Sequence, residues 1–138
     1  MTTEKDKVRV LVAQFPLESH SRGVFTVIGM LRDAGMEVIY LGNSLPERIV
    51  DSALQEDVDV VGISTLTGGE LVLGGKVMRL AEEKGVKEGV AFLMGGIFPP
   101  EDEPKLREMG FDGLFPPGST KEEITKCILE TVAAKRNS

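Results

Sequence analysis

Five short apolar runs alternate with five helix-like segments along nearly the whole chain, and this alternation limits the possible folds more than any other feature. The runs lie at 8–13, 36–40, 58–63, 89–94 and 111–115. Between them, apolar residues recur every three or four positions, as on the buried face of a helix. Regular strand–helix alternation is typical of a parallel sheet covered by helices on both faces. We therefore predict an α/β fold with a doubly wound, five-stranded parallel sheet.

The number of strands favours the flavodoxin-like (Rossmann-like) order 2-1-3-4-5, in which the first and third strands are neighbours. The crossovers from these two strands leave on opposite faces, and ligands bind in the crevice between them. The chain has 138 residues, which fits one domain spanning 1–138. We expect the polar ends, 1–7 and 136–138, to be flexible.

Two helix starts carry recognisable signals. Ser44 and Glu47 have the spacing of a capping box, with Pro46 in the first turn of the second helix. A second box, Thr120 and Glu123, opens the last helix. The recurrence of apolar residues every three or four positions also predicts a buried stripe on the second helix. This stripe is formed by Ile49, Val50, Ala53 and Leu54.

Composition excludes several classes of protein. The 16 basic and 22 acidic side chains give a net charge of -6 without a basic stripe, so we expect no nucleic-acid partner. No stretch approaches ~18 uninterrupted apolar residues, so we expect no membrane partner and a cytoplasmic location. The single Cys127 excludes an internal disulfide, and we expect it to be a buried, small apolar group. Aromatic residues make up 5%, so a large flat ligand would be held mostly by backbone and aliphatic contacts.

Small and polar residues follow the predicted strands on one edge of the sheet. Ser64 follows the third strand, Gly95 and Gly96 follow the fourth, and Gly118 follows the fifth. Glycines allow a backbone to approach a bulky ligand closely and leave amide N–H groups free to bond it. One such pair is weak evidence because loops contain glycines by default, but several on one edge together predict a ligand site there.

His20, the only histidine, lies just after the first strand, with Glu18 two positions before it and Gly23 three positions after it. A carboxylate that accepts the second imidazole N–H fixes the tautomer and raises ligand basicity. One histidine cannot build a zinc site, which needs three or four protein ligands. If His20 binds a metal, most other ligands come with a cofactor such as a macrocycle. The commoner role of a lone histidine is a solvated or hydrogen-bonded side chain.

Together these residues carry a family resemblance. The pattern acid-x-His-x-x-Gly after the first strand, Ser-x-Leu after the third and Gly-Gly after the fourth resembles the cobalamin-binding domain of adenosylcobalamin-dependent acyl-CoA mutases. The likeness is closest to small subunits and carboxyl-terminal domains of the methylmalonyl-CoA and 2-hydroxyisobutyryl-CoA mutase type. It implies a cobalamin-binding small subunit of a radical acyl-CoA mutase, an isomerase. It also implies adenosylcobalamin as cofactor and a large barrel subunit as partner, without which the chain is not catalytic.

The resemblance also implies roles for individual residues. His20 would be the lower axial ligand of cobalt, and Glu18 would accept its other N–H. Ser64 would hydrogen-bond the displaced benzimidazole base, Leu66 would line the pocket of that base, and Gly23 would let the first helix pack close to the nucleotide tail. The implied cofactor-binding set is Glu18, Ser19, His20, Ser21, Arg22, Gly23, Ser64, Leu66, Gly68, Gly95, Gly96 and Gly118.

Five positions depart from the family pattern, and two of them are Ser19 and Ser21, at loop positions that are small or acidic in the family. Glu18 stands where the family usually has Asp, Gln14 where a Lys is common, and Pro16 where a Gly is common. Glutamate can still accept an imidazole N–H, but from a shifted loop, while Gln14 removes a charge that could pair with the acid. Pro16 stiffens the loop. The departures indicate a retuned site, because His20 and the glycines are retained.

Other functions fit less well. A stand-alone corrinoid carrier or sensor usually has an amino-terminal helical cap, whereas only about seven residues precede the first strand. A receiver domain needs an Asp at the end of the third strand, where this chain has Ser64. A flavin carrier needs aromatic walls, which the sequence does not place. A purely structural protein would leave the lone histidine and the clustered glycines unexplained.

Overall fold

The computed structural model describes residues 7–16, 22–65 and 69–137, with only the backbone described at Arg22. Several predicted site residues lie outside the described residues, namely Glu18, Ser19, His20, Ser21, Leu66 and Gly68. The expectations for these six positions therefore stay predictions.

Five parallel strands form one sheet in the order β2-β1-β3-β4-β5, which confirms the predicted fold and topology. The strands are β1 Arg9–Gln14, β2 Glu37–Asn43, β3 Val60–Thr65, β4 Ala91–Gly96 and β5 Gly113–Phe115. The helices are α1 Arg22–Asp33, α2 Pro46–Gln55, α3 Glu70–Glu83, α4 Asp102–Met109 and α5 Lys121–Arg136. β3 and β4 both extend beyond their apolar runs, because backbone pairing continues through Ser64↔Gly95 and Thr65↔Gly96. An apolar run marks burial, whereas a strand ends where its pairing ends.

Alternate residues of each strand face two different cores. On one face, Leu11, Val61 and Phe92 pack in a core that also holds buried residues of α2, α3 and α4. On the other face, Val10, Val60 and Ala91 pack with residues of α1 and α5. This division follows from the two-residue repeat of a strand, which sends successive side chains to opposite faces. Gly62 and Ser64 therefore lie on the face of the sheet that α1 and α5 cover.

The predicted capping box at Ser44 is wrong. Leu45 is the N-cap of α2, and no side chain in the described part of the chain caps it. Ser44 is instead tied to the sheet: its N–H donates to the Gln14 carbonyl at 2.8 Å, and its hydroxyl donates to the Gly42 carbonyl at 3.3 Å. Leu54, predicted to be buried, is 57% exposed, because the buried face of α2 is centred on Ile49, Val50 and Ala53.

The second predicted capping box is confirmed. The Glu123 N–H donates to the Thr120 hydroxyl at 3.1 Å, and the Thr120 N–H donates to the Glu123 carboxylate at 2.8 Å. Two amide groups at the start of α5 are satisfied in this way. Ile124, Ile128 and Val132 then form the buried face of the helix.

Cys127 is partly buried on α5 against β5. A Cβ placed on Gly113 would lie 2.8 Å from the Cys127 Sγ, which shows how closely helix and strand approach. Burial raises the pKa of the Cys127 thiol, so the side chain is neutral and packs as a small apolar group. None of the helices in the described residues is both long and apolar enough to cross a membrane.

Candidate functional site

A cavity of about 900 Å³ opens between α1 and α5 above the sheet. Its floor is made by β1, β3 and β4, including Val12, Gly62 and Leu93. Val27 on α1 and Ile124 on α5 contribute to its walls. The volume lies within the range of small-molecule sites, roughly 300–1,000 Å³. Most of its lining is aliphatic, so the cavity suits a ligand that is itself largely apolar.

Two glycines leave room for this cavity. Gly62 lies in the middle of β3 and is paired with Val12 of β1 and Leu93 of β4. A Cβ added at Gly62, or at Gly23 in the first turn of α1, would meet no atom of the described residues within 4 Å. Glycine weakens a strand interior, so its presence there often marks a place where a ligand approaches the backbone closely. The two glycines thus form a cradle that a larger residue would fill.

The cavity brings together the predicted site residues that the structure describes with their side chains. Gly23, Ser64, Gly95, Gly96 and Gly118 all line it. Ser64 is paired with Gln14 on one side and with Gly95 on the other, at the carboxyl ends of the strands. Its side chain lies on the same face of β3 as Gly62, since the two are two residues apart. These five residues therefore line one cavity at the carboxyl edge of the sheet, and their role in binding a cofactor stays a prediction.

Two of these glycines are also required by the backbone. Gly96 has a φ of +142°, and a Cβ there would collide with the Thr65 carbonyl oxygen of the neighbouring strand. Gly118 has a φ of +91° in the turn that precedes α5. The close approach of β3 and β4 is enough to require glycine at position 96. Gly96 is thus weaker evidence for a ligand than Gly62 is.

Sequence reasoning misses two lining features. Gly62 lies within an apolar run, although a glycine inside a central strand is itself a signal of close approach. Phe115, the last residue of β5, adds one aromatic side chain to a lining that is otherwise mostly aliphatic. In the sequence it resembles an ordinary strand residue, and only the packing of α5 over β5 places it at the cavity.

Two buried acids lie on the opposite face of the sheet, at the amino ends of α3 and α4. Glu70 is 4% exposed and Asp102 is 8% exposed. Burial, and then a hydrogen bond with Asp102, raise the pKa of the Glu70 carboxyl. Among the described residues, no group of three or more His, Cys, Asp or Glu side chains could hold a metal ion.

The comparisons with known proteins agree with this geometry. A family model described as the B12 binding domain matches residues 8–125. The 2-hydroxyisobutanoyl-CoA mutase small subunit of Aquincola tertiaricarbonis is 38% identical over 96% of this chain and 97% of its own length. The pivalyl-CoA mutase small subunit of Xanthobacter autotrophicus is 40% identical over 88% of this chain and 81% of its own. A methylmalonyl-CoA mutase of Cereibacter sphaeroides is 30% identical, but the match covers only 19% of that protein.

Similarity to solved structures shows the fold alone. A cobalamin-binding protein of Desulfitobacterium hafniense superposes with a TM-score of 0.76 at 18% identity, over 90% of this chain and 58% of that one. A receiver domain of Mycobacterium tuberculosis gives 0.68 at 20% identity, over 92% and 97%. The fold is therefore shared by a cobalamin-binding protein and a receiver domain, and the sequence match decides between these two classes. Since the family model matches most of the chain and both small subunits align with it over most of their length, this chain belongs to the B12-binding domain family, together with the small subunits of acyl-CoA mutases.

Proposed function

We propose that this chain is the cobalamin-binding small subunit of a radical acyl-CoA mutase and that its cofactor is adenosylcobalamin. The observation that carries this proposal is the glycine-floored cavity between α1 and α5, in a chain that aligns almost end to end with a mutase small subunit. The class of reaction is carbon-skeleton isomerisation. No catalytic residue is assigned to this chain.

The cavity fits the nucleotide tail of cobalamin. The tail ends in a flat, largely apolar benzimidazole, and the aliphatic walls would bury it away from water. Gly23 and Gly62 leave the space that a Cβ would take. Ser64 stands at the rim, where its hydroxyl would hydrogen-bond the base, while Gly95 and Gly118 would border the tail with backbone.

The remaining residues of the proposed set belong to the two sequence stretches that leave β1 and β3. His20 follows the end of β1 by six positions and precedes the first residue of α1 by two. We assign it the role of lower axial ligand of cobalt, with Glu18 accepting its other N–H. Leu66 would line the pocket of the base. Ser19, Ser21, Arg22 and Gly68 complete the proposed contacts.

Bound adenosylcobalamin supplies the homolytic cleavage of a cobalt–carbon bond with which such rearrangements start. The chain's own residues hold the tail, exclude water from the base and present one imidazole nitrogen. The relatives at 38% and 40% identity are named small subunits, which supports a separate large subunit that holds the barrel and the acyl-CoA site. We place the complex in the cytoplasm, in line with the charge and hydropathy of the chain.

The test is a titration of the protein with cob(II)alamin followed by absorption spectroscopy. We expect the wild type to give the spectrum of a cofactor that has released its own base and taken a histidine. The His20→Ala variant should still bind the cofactor through the cavity. Its absorption spectrum should lack the features of histidine ligation. Asp59→Asn is the control, because Asp59 lies at the opposite edge of the sheet, where it accepts a hydrogen bond from the Arg9 N–H at 3.0 Å. The same spectrum in His20→Ala and in the wild type would overturn the assignment.

A stand-alone corrinoid carrier or sensor is the alternative function. The two differ in their partner, since only a mutase subunit forms a complex with a barrel subunit that lacks its own cobalamin domain. Purification of the untagged protein from its native cells should recover such a subunit in a fixed ratio. Recovery with a methyltransferase instead would favour the carrier.

A further inference from the structure

Glu70 and Asp102 are the two charged side chains that the described part of the chain buries. Glu70 is the first residue of α3 and Asp102 the first residue of α4. These helices follow β3 and β4, which are neighbours in the sheet. A hydrogen bond joins the two carboxyl groups. The two acids therefore connect the first turns of α3 and α4, on the face of the sheet opposite the cavity.

Little positive charge is available to balance two buried carboxylates. The Lys105 Nζ lies 4.0 Å from the Asp102 Oδ1, but the Lys105 side chain is 60% exposed. A long pair with an exposed lysine stabilises a carboxylate only weakly. The ion pairs of the described residues include none with Glu70. Two like charges in contact and away from water disfavour each other, so one of the two carboxyls is neutral.

The Glu70 carboxyl also lacks a hydrogen-bond donor. Its Oε1 atom is buried, and no N–H or hydroxyl group of the described residues donates to it. An ionised carboxylate only accepts hydrogen bonds, whereas a protonated carboxyl donates one through its O–H. A hydrogen bond between two carboxyl groups therefore needs one proton.

The other charged groups around the pair are at least partly exposed. Glu47 of α2 lies 3.1 Å from the Lys76 Nζ of α3, so these two charges balance each other at the surface. The remaining charged side chains in the first turns of α2 and α4 are exposed, except for one that is partly buried. The exposed ones are Arg48 and Lys105, and the partly buried one is Glu103.

We propose that Glu70 and Asp102 share one proton and thereby hold the first turn of α3 to the first turn of α4. Glu70 carries the proton, and its O–H donates to Asp102. The negative charge stays on Asp102, where the amino end of α4 and Lys105 stabilise it. As the pH rises the proton is lost, and two like charges are left in contact. The pair is thus a pH-sensitive contact between two helices, and it does not depend on the proposed function.

The test is a pH titration of side-chain carboxyl carbons by NMR, in the full chain labelled with carbon-13 glutamate. The signal that is missing in Glu70→Gln belongs to Glu70. We expect its midpoint to lie above 4.5, the ordinary pKa of the carboxyl. Asp102→Asn should move the midpoint down, because asparagine removes the like charge and its amide can donate to Glu70. Glu103→Gln is the matched control, one residue further along α4, and should leave the Glu70 midpoint unchanged.

Two results of this titration would overturn the shared proton. One is a Glu70 midpoint at or below 4.5, and the other is a raised midpoint that Asp102→Asn does not lower. The titration is repeated with added Mg²⁺ and with added Ca²⁺, which should leave the midpoint unchanged. A lower midpoint with either ion would show that the pair holds a cation in place of the proton.

Amide hydrogen exchange tests the contact between the helices. In the wild type, protection of the amides in the first turns of α3 and α4 should fall as the pH rises through the Glu70 midpoint. Glu70→Gln should keep this protection, because its side-chain amide replaces the O–H as donor to Asp102. Protection that changes equally in both proteins would contradict the proposed contact.

Discussion

Gly62 and Gly96, on adjacent strands of the sheet, are glycines for two different physical reasons. At Gly62 a side chain would enter open space above β3, within reach of no atom of the described residues. At Gly96 a side chain would collide with the Thr65 carbonyl oxygen. The first glycine keeps the floor of the cavity open, and the second lets two strands approach. Substitution therefore separates binding from folding at these two positions.

Gly62→Val should fill the floor of the cavity. We expect a roughly tenfold or greater loss of cobalamin affinity, since overpacking an occupied site costs about 1–3 kcal/mol. The free energy of unfolding should be equal or higher, because a β-branched residue favours a strand more than glycine does. Equilibrium titration with cob(II)alamin and urea denaturation measure the two quantities.

Gly96→Val is the matched control, and its stability should fall well below that of Gly62→Val because the carbonyl of β3 must move. Wild-type cobalamin affinity in a folded Gly62→Val protein would show that the cofactor does not use this cavity.

At the residue level, the sequence predicts the small residues at the carboxyl edge of the sheet. It does not predict the hydrogen bond between the Tyr40 hydroxyl and the Gln14 side chain. Ser64, Gly95 and Gly118 are visible because they follow strands on one edge. The Tyr40 hydroxyl donates to the Gln14 side-chain oxygen from the neighbouring strand, and the apolar pattern does not encode such a polar contact between two strands. The place of Gly62 in the cavity floor could have been predicted, since a glycine inside a central strand often marks a close approach to the backbone.

At the level of elements, the two predicted capping boxes have different outcomes for a physical reason. Thr120 starts α5 from an exposed turn, where only local hydrogen bonds compete for its side chain and backbone. Ser44 lies between β2 and α2, and its backbone N–H is taken by the Gln14 carbonyl of the neighbouring strand. A tertiary contact thus overrides a local sequence signal at α2.

Thr120→Ala should lower the free energy of unfolding by about 1 kcal/mol, the usual value of a lost N-cap side chain. Urea denaturation measures it. Ser44→Ala should cost less, because its hydroxyl makes one long hydrogen bond, to Gly42 at 3.3 Å. An equal or larger loss in Ser44→Ala would indicate that Ser44 caps α2 after all.

At the level of the whole molecule, the two faces of the sheet differ in packing. The face covered by α2, α3 and α4 carries a continuous buried core, whereas the face covered by α1 and α5 opens into the cavity at its carboxyl edge. The alternation of strands and helices is enough to predict the sheet order. The alternation cannot predict the function, because a receiver domain shares the fold. Only particular residues distinguish the classes of protein that have this fold.

The buried acids at the amino ends of α3 and α4 predict how stability depends on pH. Burial raises the pKa of Glu70 above its ordinary value of 4.5. An acid with a raised pKa in the folded state contributes stability below the unfolded pKa, and this is lost as pH rises through the folded pKa. Glu70→Gln removes the charge, so its stability relative to the wild type should increase as the pH rises above 4.5, the ordinary pKa of the carboxyl. Urea midpoints that differ by a constant amount across this range would contradict the assignment.

In the proposed function, His20 binds the cobalt of cobalamin. The sequence contains one histidine, so labelling with nitrogen-15 histidine marks His20 alone in a protein without a histidine tag. Electron paramagnetic resonance of bound cob(II)alamin reports the nucleus of its axial nitrogen through the superhyperfine splitting. We predict that the triplets of the unlabelled protein become doublets in the labelled protein. Triplets that persist after labelling would show that the axial nitrogen comes from the cofactor's own base, and that His20 does not bind the metal.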